Sequence, residues 1–332
     1  MSEVFNTEQY AEDFFIQNPK GVFVVVGPTA SGKTGLAIKI AKFLEKSKNL
    51  NTSAEIINCD SRQVYTDLPI TVAAPTEEEK SGISHHLFEY LSPEKTQNVS
   101  EWREAAEQKI LEIQSRGGLV ILCGGTGLFV NSLSKNFSLS VPPNEKFRAK
   151  MSEFSGEELW EMLKEKDGEE AKKLSPNNKK YVLRALEIFE EKGKKSKVMI
   201  QQEPKFKFCF VGITHPRQKL YERINRRNDL MIEAGFLEEV QKFLEKYPNI
   251  PEQDGAFIAH GIPEAMDYLS AQNSEKNSDE ELRLMLENMK NKMKQHTRNY
   301  AKRQLTWWRK DERVRWVSGE TGEDISLTDE GI

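Results

Sequence analysis

The sequence predicts an α/β chain: a parallel sheet flanked by helices, carrying an all-helical insertion. Three observations carry that expectation. Short apolar runs of strand length recur at Val22-Phe23-Val24-Val25-Val26, around Ile56-Ile57, at Leu119-Val120-Ile121-Leu122-Cys123 and at Phe208-Cys209-Phe210-Val211-Gly212-Ile213, with helix-forming segments between them. The first run opens directly into Gly27-Pro28-Thr29-Ala30-Ser31-Gly32-Lys33-Thr34, and Gly35 to Leu44 then continue with helical spacing. Between Glu145 and about Gly193 the chain is highly charged and helical in pattern, with no strand.

The eight residues after the first strand satisfy the G-x-x-x-x-G-K-[ST] pattern in its proper strand-loop-helix context, so the sheet is expected to be of the P-loop NTPase type. In that geometry the backbone N–H groups of Gly27, Pro28's neighbours, Thr29, Ala30, Ser31 and Gly32 turn inward and the helix N-terminus adds partial positive charge. Lys33 supplies an ammonium for phosphate oxygens, and Thr34 can offer its hydroxyl to a Mg²⁺ ion. The motif alone leaves open whether the phosphate compound is a nucleoside triphosphate or another diphosphate.

The elements follow in order. Residues 1–20 suggest a short helix, broken by Asn18-Pro19-Lys20-Gly21. Ala54 to Cys59 form a second strand that delivers Asp60-Ser61-Arg62-Gln63-Val64-Tyr65 to the carboxyl end of the sheet, where ligands of such sheets bind. Asp60 is thereby a candidate base or metal ligand, or else a cap of a following helix. His85-His86 has no further metal-type ligands at suitable spacing, so a hydrogen-bonded structural role is expected. Glu101 to Ser115 form a helix with Trp102, Ala105, Ala106, Ile110 and Ile113 at positions that can share a face. The third strand opens into Gly124-Gly125-Thr126-Gly127, either a ligand-approach turn with a hydroxyl or a plain tight turn.

Val141-Pro142-Pro143-Asn144 opens the insertion, whose last helix packs through Val182, Leu183, Leu186, Ile188 and Phe189 and ends at Lys192-Gly193-Lys194-Lys195. Residues 1–140 with 205–332 are expected to form the core and 141–204 the helical subdomain. After Ile213, a helix from His215-Pro216-Arg217 carries Arg223 and Arg227 on one face, an exposed charged face or an anion clamp. Residues 270–280 form a polar loop. Leu282, Met285, Met289, Met293, His296 and Tyr300 then step by three or four along a long helix, as its core stripe.

Bulk properties narrow the function. The formal net charge of −4 excludes a chain that coats nucleic acid along its whole length. Lys290 to Arg315 nevertheless hold ten Lys and Arg against Asp311 and Glu312, a local +8 that leaves −12 elsewhere and suits local docking of a polyanion. Trp307 and Trp308 beside Arg309 could stack on bases or pack. Cys59, Cys123 and Cys209 lack C-x-x-C spacing and fall in apolar stretches, as buried reduced thiols do. No apolar run reaches membrane-spanning length and the N-terminal segment is acidic. A soluble, unexported cytoplasmic monomer is expected.

Five blocks taken together extend this. Gly27 to Thr34, Asn58-Cys59-Asp60-Ser61-Arg62-Gln63-Val64-Tyr65, Gly124 to Leu128, Arg184-Ala185-Leu186-Glu187, and Arg298-Asn299-Tyr300-Ala301-Lys302-Arg303-Gln304-Leu305-Thr306-Trp307 resemble, in order and spacing, the tRNA dimethylallyltransferases (tRNA isopentenyltransferases). The resemblance implies transfer of a dimethylallyl group from dimethylallyl diphosphate to N6 of the adenosine 3′ to the anticodon. The P-loop would hold the donor's diphosphate with Mg²⁺ on Thr34, so that ATP need not take part. It also implies Asp60 as general base, Thr126 near the reacting centre and Arg227 on the diphosphate. Asp60, Ser61, Arg62 and Gln63 would read the extruded base, while Lys180, Tyr181, Arg184, Lys302 and Arg303 would grip the tRNA anticodon stem-loop.

Ala74 stands where the family commonly has a lysine, Lys180-Tyr181 where an arginine is common, and Ile262-Pro263 where a Tyr-Arg pair is typical. Three competing readings remain open here. They are an adenylate isopentenyltransferase making cytokinin from a free nucleotide, a P-loop kinase of small metabolites, and a nucleotide-gated RNA-binding protein without chemistry.

Overall fold

A computed structural model of the chain describes residues 5–135, 141, 144–194, 203–250, 255–259, 261–272, 274 and 277–325. Pro142, Pro143, Lys195 and parts of the polar loop after 272 lie outside the described residues. The chain divides into two compact units, residues 1–130 with 206–332 and residues 131–205.

The first unit is built on a parallel sheet. In chain order its elements are α1 (Thr7–Gln17), β1 (Val22–Val26), α2 (Lys33–Glu45), β2 (Ala54–Asn58), α3 (Glu77–Lys80), β3 (His85–His86), α4 (Val99–Ser115), β4 (Leu119–Cys123) and the start of α5 (Gly127–Ser134). The second unit holds α6 (Glu145–Met151), α7 (Gly156–Lys166), α8 (Gly168–Ala171) and α9 (Lys179–Lys192). The first unit resumes with β5 (Phe208–Thr214), α10 (Arg217–Glu233), α11 (Phe236–Lys246), α12 (Ile262–Gln272), α13 (Asp279–Trp308) and β6 (Val314–Ser318). Strand order is β3-β2-β4-β1-β5-β6 and every pairing is parallel.

Burial on both faces explains why the central strands carry continuous rather than alternating apolar residues: every residue of β1, β2 and β4 is buried. On one side, α1 and α2 cover the sheet through Ala11, Phe15, Ala37, Ile40, Ala41 and Leu44. Phe14 and Phe15 meet Phe23 at ring distances of 6.1 and 6.3 Å. On α4, Trp102, Ala106, Ile110 and Ile113 are buried, and the Trp102 ring stacks on Phe129 at 4.6 Å. A further core joins Val64, Tyr65, Leu68 and Val72 to Phe236, Val240, Phe243, Ile262, Met289 and Met293.

Two edge strands add to the four the sequence showed. At one edge the paired histidines form β3: His86 Nε2 lies 2.6 Å from Glu55 Oε2, and Arg116 also donates to Glu55 at 2.7 Å. At the other, β6 pairs with β5 even though it carries Arg315, because an edge strand needs apolar residues on one face only. Helix α13 departs from the expected stripe. Its buried residues are Met289, Met293, Thr297, Ala301, Gln304, Leu305 and Trp308, while the His296 side chain is 56% exposed and pairs with Glu264. Steps of four for a helix of 3.6 residues per turn move the contact line gradually around the helix, which the strict stripe ignored.

The second unit packs on its own core of Leu159, Leu163, Ala171, Val182, Ala185 and Leu186. Within it Glu187 is fully buried, meeting Arg148 Nε at 2.9 Å, the Asn144 N–H at 2.6 Å and the Arg184 guanidinium. Burial opposes ionisation of Glu187, yet these donors outweigh it and hold the carboxyl below its ordinary value.

Candidate active site

The loop after β1 is shaped by backbone that few side chains tolerate. Gly27 has φ 147° and a Cβ there would lie 2.3 Å from the Ile213 carbonyl oxygen; Gly32 caps α2 at φ 97°. Ala30 takes a left-handed φ of 61° without being glycine. The loop's own lysine and side chains from distant elements hold its carbonyls. Lys33 Nζ donates to Pro28 O at 2.7 Å, Arg223 Nε to Ala30 O at 2.8 Å, and His215 Nε2 lies 3.1 Å from Ser31 O. The carbonyls of Pro28, Ala30 and Ser31 are thus engaged by cations or an imidazole, which biases the loop toward presenting N–H groups to an anion. Burial pulls the proton affinity of Lys33 below the ordinary lysine value, with Asp60 the chief opposing charge.

Asp60 leaves β2 on a fixed turn. Asn58 is fully buried; its Oδ1 accepts the Asp60 N–H at 2.8 Å, and its Nδ2 donates to Asp60 O at 3.0 Å and Leu87 O at 2.9 Å. Asp60 Oδ1 then accepts the Arg62 N–H at 3.0 Å. No helix starts here, so the capping alternative is replaced by a side-chain turn onto the backbone two residues on. Thr126 closes the arrangement from β4: its Oγ1 accepts the Ser61 N–H at 3.0 Å and its own N–H reaches Cys59 O at 3.1 Å. The glycines before it are required, because a Cβ on Gly124 would lie 2.3 Å from the Cys59 carbonyl carbon.

Arg227, one turn beyond Arg223 on α10, points into the same crevice. Its NH1 lies 3.4 Å from Thr29 Oγ1 and its NH2 3.4 Å from Ala73 O, which also accepts from Gln63 Nε2 at 2.7 Å. Burial lowers its proton affinity and the Asp60 charge works against that. Arg62 reaches Gly255 O at 3.3 Å. The structure therefore brings together Gly27 to Thr34, Asp60 to Gln63, Thr126 and Arg227. Lys302 and Arg303 lie exposed on α13. Lys180 and Tyr181 are exposed on the second unit, whereas Arg184 there is engaged by Glu187 and the Val141 carbonyl. Of the positions that depart from the family pattern, Ala74 packs against the core and Ile262 lies inside it, so neither is a free RNA-facing side chain.

Several contributors have no site role assigned from the sequence, in which Tyr300 is expected in the core stripe and Trp307 is expected to stack on bases or to pack. Asn58 sets the turn of Asp60. On α13, Tyr300, Gln304 and Trp307 share a face turned to the site. Tyr300 hydrogen-bonds Thr126, and burial followed by the Asp60 charge pushes its phenol well above the ordinary value. Gln304 Oε1 accepts the Thr29 N–H at 2.8 Å. Trp307 packs so closely that a Cβ on Gly127 would lie 2.0 Å from its Nε1. A buried amide within an apolar helical stripe is the one signal that could have marked Gln304.

The donor set fits a Mg²⁺ shared with a phosphate ligand better than a protein-only metal cage. No group of three or more His, Cys, Asp or Glu among the described residues could hold a metal, while Thr34 stands at the start of α2 with its side chain hydrogen-bonded to the Cys123 thiol, a weak partner. All three cysteines are free and buried, and burial raises Cys123 to about 11, so they are inert thiols.

The IPP transferase family model matches residues 63–311. The tRNA dimethylallyltransferase of Acetivibrio thermocellus is 39% identical over 308 residues, covering 90% of this chain and 91% of that one, and that of Alkaliphilus oremlandii is 38% identical over 90% and 91%. Among solved structures, a tRNA isopentenylpyrophosphate transferase from Bacillus halodurans is similar with TM-score 0.63, 33% identity and 90% coverage of each chain. A eukaryotic dimethylallyltransferase acting on tRNA is similar with TM-score 0.72 and 26% identity, over 90% of this chain and 73% of that one.

Proposed function

The chain belongs to the IPP transferase family and is a transferase that prenylates tRNA, and we propose that its substrates and residues act as follows. Dimethylallyl diphosphate donates its five-carbon group to N6 of the adenosine 3′ to the anticodon. The C–O bond between allyl carbon and diphosphate breaks, the N6–C bond forms, diphosphate leaves, and the N6 proton passes to Asp60.

The observation that carries this reading is the meeting of an anion cradle, a carboxylate and a hydroxyl at the carboxyl ends of neighbouring strands β1, β2 and β4. Breaking an allylic C–O bond concentrates negative charge on the leaving diphosphate, so fixed donors around it lower the barrier. The loop N–H groups, Lys33 and Arg227 are those donors. A Mg²⁺ ion held by Thr34 and phosphate oxygens would add further charge neutralisation there. The adenine amine is a poor nucleophile because its lone pair is delocalised into the ring. Asp60, its Oδ1 braced by the Arg62 N–H, accepts the proton as the new bond forms. Ser61, Arg62 and Gln63 line the turn that receives the extruded base, a base cheapest to unstack in a loop. Lys302 and Arg303, and on the second unit Lys180 and Tyr181, offer exposed cations and a ring to the RNA; Arg184 serves by holding Glu187 and the local backbone.

The test is mass analysis of adenosines after the purified protein meets dimethylallyl diphosphate, Mg²⁺, unmodified tRNA and free AMP in one tube without ATP. Prenylation of tRNA alone is expected. A gain on AMP alone would assign cytokinin synthesis, and no gain on either would return the P-loop to ATP and a kinase.

A further inference from the structure

Helix α11 (Phe236–Lys246) carries no residue of the proposed site, yet it holds the loop on which two of those residues meet. Glu239, half-buried in its first turn, turns its carboxylate onto the backbone of that loop: Oε2 accepts the Ile70 N–H at 2.9 Å and Oε1 the Thr71 N–H at 2.7 Å. Such charge-assisted bonds are stronger than neutral ones, and two of them fix orientation as well as position. The Ile70 carbonyl then accepts the Ala73 N–H at 3.0 Å. Ala73 takes a left-handed φ of 49° without being glycine, a conformation that persists only where its surroundings determine it. Its carbonyl meets side chains from outside the loop, accepting from Gln63 Nε2 at 2.7 Å and from Arg227 NH2 at 3.4 Å.

One carbonyl therefore joins the turn after β2 to the arginine at the phosphate loop, whose other nitrogen lies 3.4 Å from Thr29 Oγ1. Because a carbonyl can accept only from the amide nitrogen, the same contact sets which way round Gln63 stands. An acidic residue in a first turn complements the helix dipole equally well while facing solvent, as the exposed Glu238 does. Glu239 instead reaches partners 168 and 169 residues away. Taking the prenyl-transfer reading of the site as its basis, we infer that Glu239 is a positioning residue for the transfer. By clamping Ile70 and Thr71 it holds the Ala73 carbonyl, and through that carbonyl it orients Gln63 for the base and Arg227 for the diphosphate. The chain also holds this loop at a second point, where Tyr247, just after α11, donates to Asp67 Oδ2 at 2.5 Å, but that contact does not bear on Ala73.

The test uses the full chain, once the wild type has been shown to prenylate tRNA; failure of that step would overturn the functional reading rather than this inference. Glu239→Gln keeps the size of the side chain but sets an NH2 donor against one of the two N–H groups. Affinity for inorganic pyrophosphate and kcat/KM for tRNA are measured for the wild type, for Glu239→Gln, and for Glu239→Gln added to Arg227→Ala or to Gln63→Leu. Glu239→Gln should lose about two- to thirtyfold in both quantities. The pyrophosphate loss should shrink in the Arg227→Ala background and the tRNA loss in the Gln63→Leu background, since residues that act through one contact are not additive. A loss that persists at full size in either background would overturn the inference, as would a wild-type value of either quantity in Glu239→Gln. Tyr247→Phe, which frees the same loop at Asp67, should leave both quantities near wild type. Losses there equal to those of Glu239→Gln would reduce the effect to general loop stability and overturn the positioning role. Should Glu239→Gln fail to fold by circular dichroism, Glu239→Asp, which keeps the charge and shortens the reach, takes its place in the same comparisons.

Discussion

Replacing Asp60 by Asn separates chemistry from architecture. Asn retains the side-chain oxygen that accepts the Arg62 N–H, and the bonds from Asn58 that set the turn run through the Asp60 backbone, so they are untouched. The turn that presents Ser61, Arg62 and Gln63 should therefore survive, and with it tRNA binding. What is lost is a proton acceptor and one negative charge beside Lys33, Arg227 and Tyr300. General-base catalysis contributes about 10²–10⁴-fold, so single-turnover prenyl transfer should fall by about that factor. Loss of the charge should also leave pyrophosphate affinity equal or higher, since the carboxylate no longer faces the anion. Rapid-quench transfer with tRNA and enzyme in excess, alongside filter binding of tRNA, reads both effects. Transfer at about a tenth of the wild-type rate or faster would remove Asp60 from the base role; a fall in tRNA binding of the same size as the fall in transfer would make it a recognition residue.

Other substitutions and conditions probe the scaffold. Arg227→Ala should cost about 1.5–3 kcal/mol of donor binding in the transition state, seen as a loss in kcat/KM for dimethylallyl diphosphate, and Arg227→Lys should recover only part because its ammonium lacks the planar fork. Gly124→Ala drives a methyl against the Cys59 backbone and should destabilise the fold by about 1–3 kcal/mol, read as a lower urea midpoint. His85 and His215 are both held below the ordinary imidazole value by burial. The unfolded chain then takes up protons first, so their contribution to stability is complete above about pH 6.5 and is lost as pH falls through that value toward the folded ones. Urea midpoints should drop between pH 7.5 and 5.5; a flat profile would contradict the assignment.

How much of this was legible in the sequence follows from what each feature depends on. The loop from Gly27 to Thr34 and the four central strands are local patterns, a required backbone shape and a run of residues buried on both faces, and both are visible in a single stretch. The edge strands were not visible, because His85-His86 joins the sheet by two residues and Val314 to Ser318 alternates with charge. Asp60 could be suspected from its place after a strand, yet its bracing by Asn58 rests on a side chain two residues away whose direction only the turn fixes. The Gln304 contact with Thr29 spans 275 residues, and no periodicity could announce it.

That separation in sequence has a consequence for how the site is assembled. The loop is held by His215 and Arg223, from β5's end and α10, and by Gln304 from α13, as well as by its own Lys33. A P-loop helix start binds anions with its own backbone, but here the orientation of its peptides is set by elements that fold around it from the far end of the chain. Fixing those peptides before the ligand arrives removes ordering that binding would otherwise have to supply. The same dependence makes α13 more than an RNA-binding appendage to a complete catalytic sheet: Tyr300 on Thr126, Gln304 on Thr29 and Trp307 on Gly127 each meet a different part of the crevice from one helical face. On the proposed function, a tRNA drawn to the basic outer face of α13 would be bound by the same element that meets Thr126, Thr29 and Gly127.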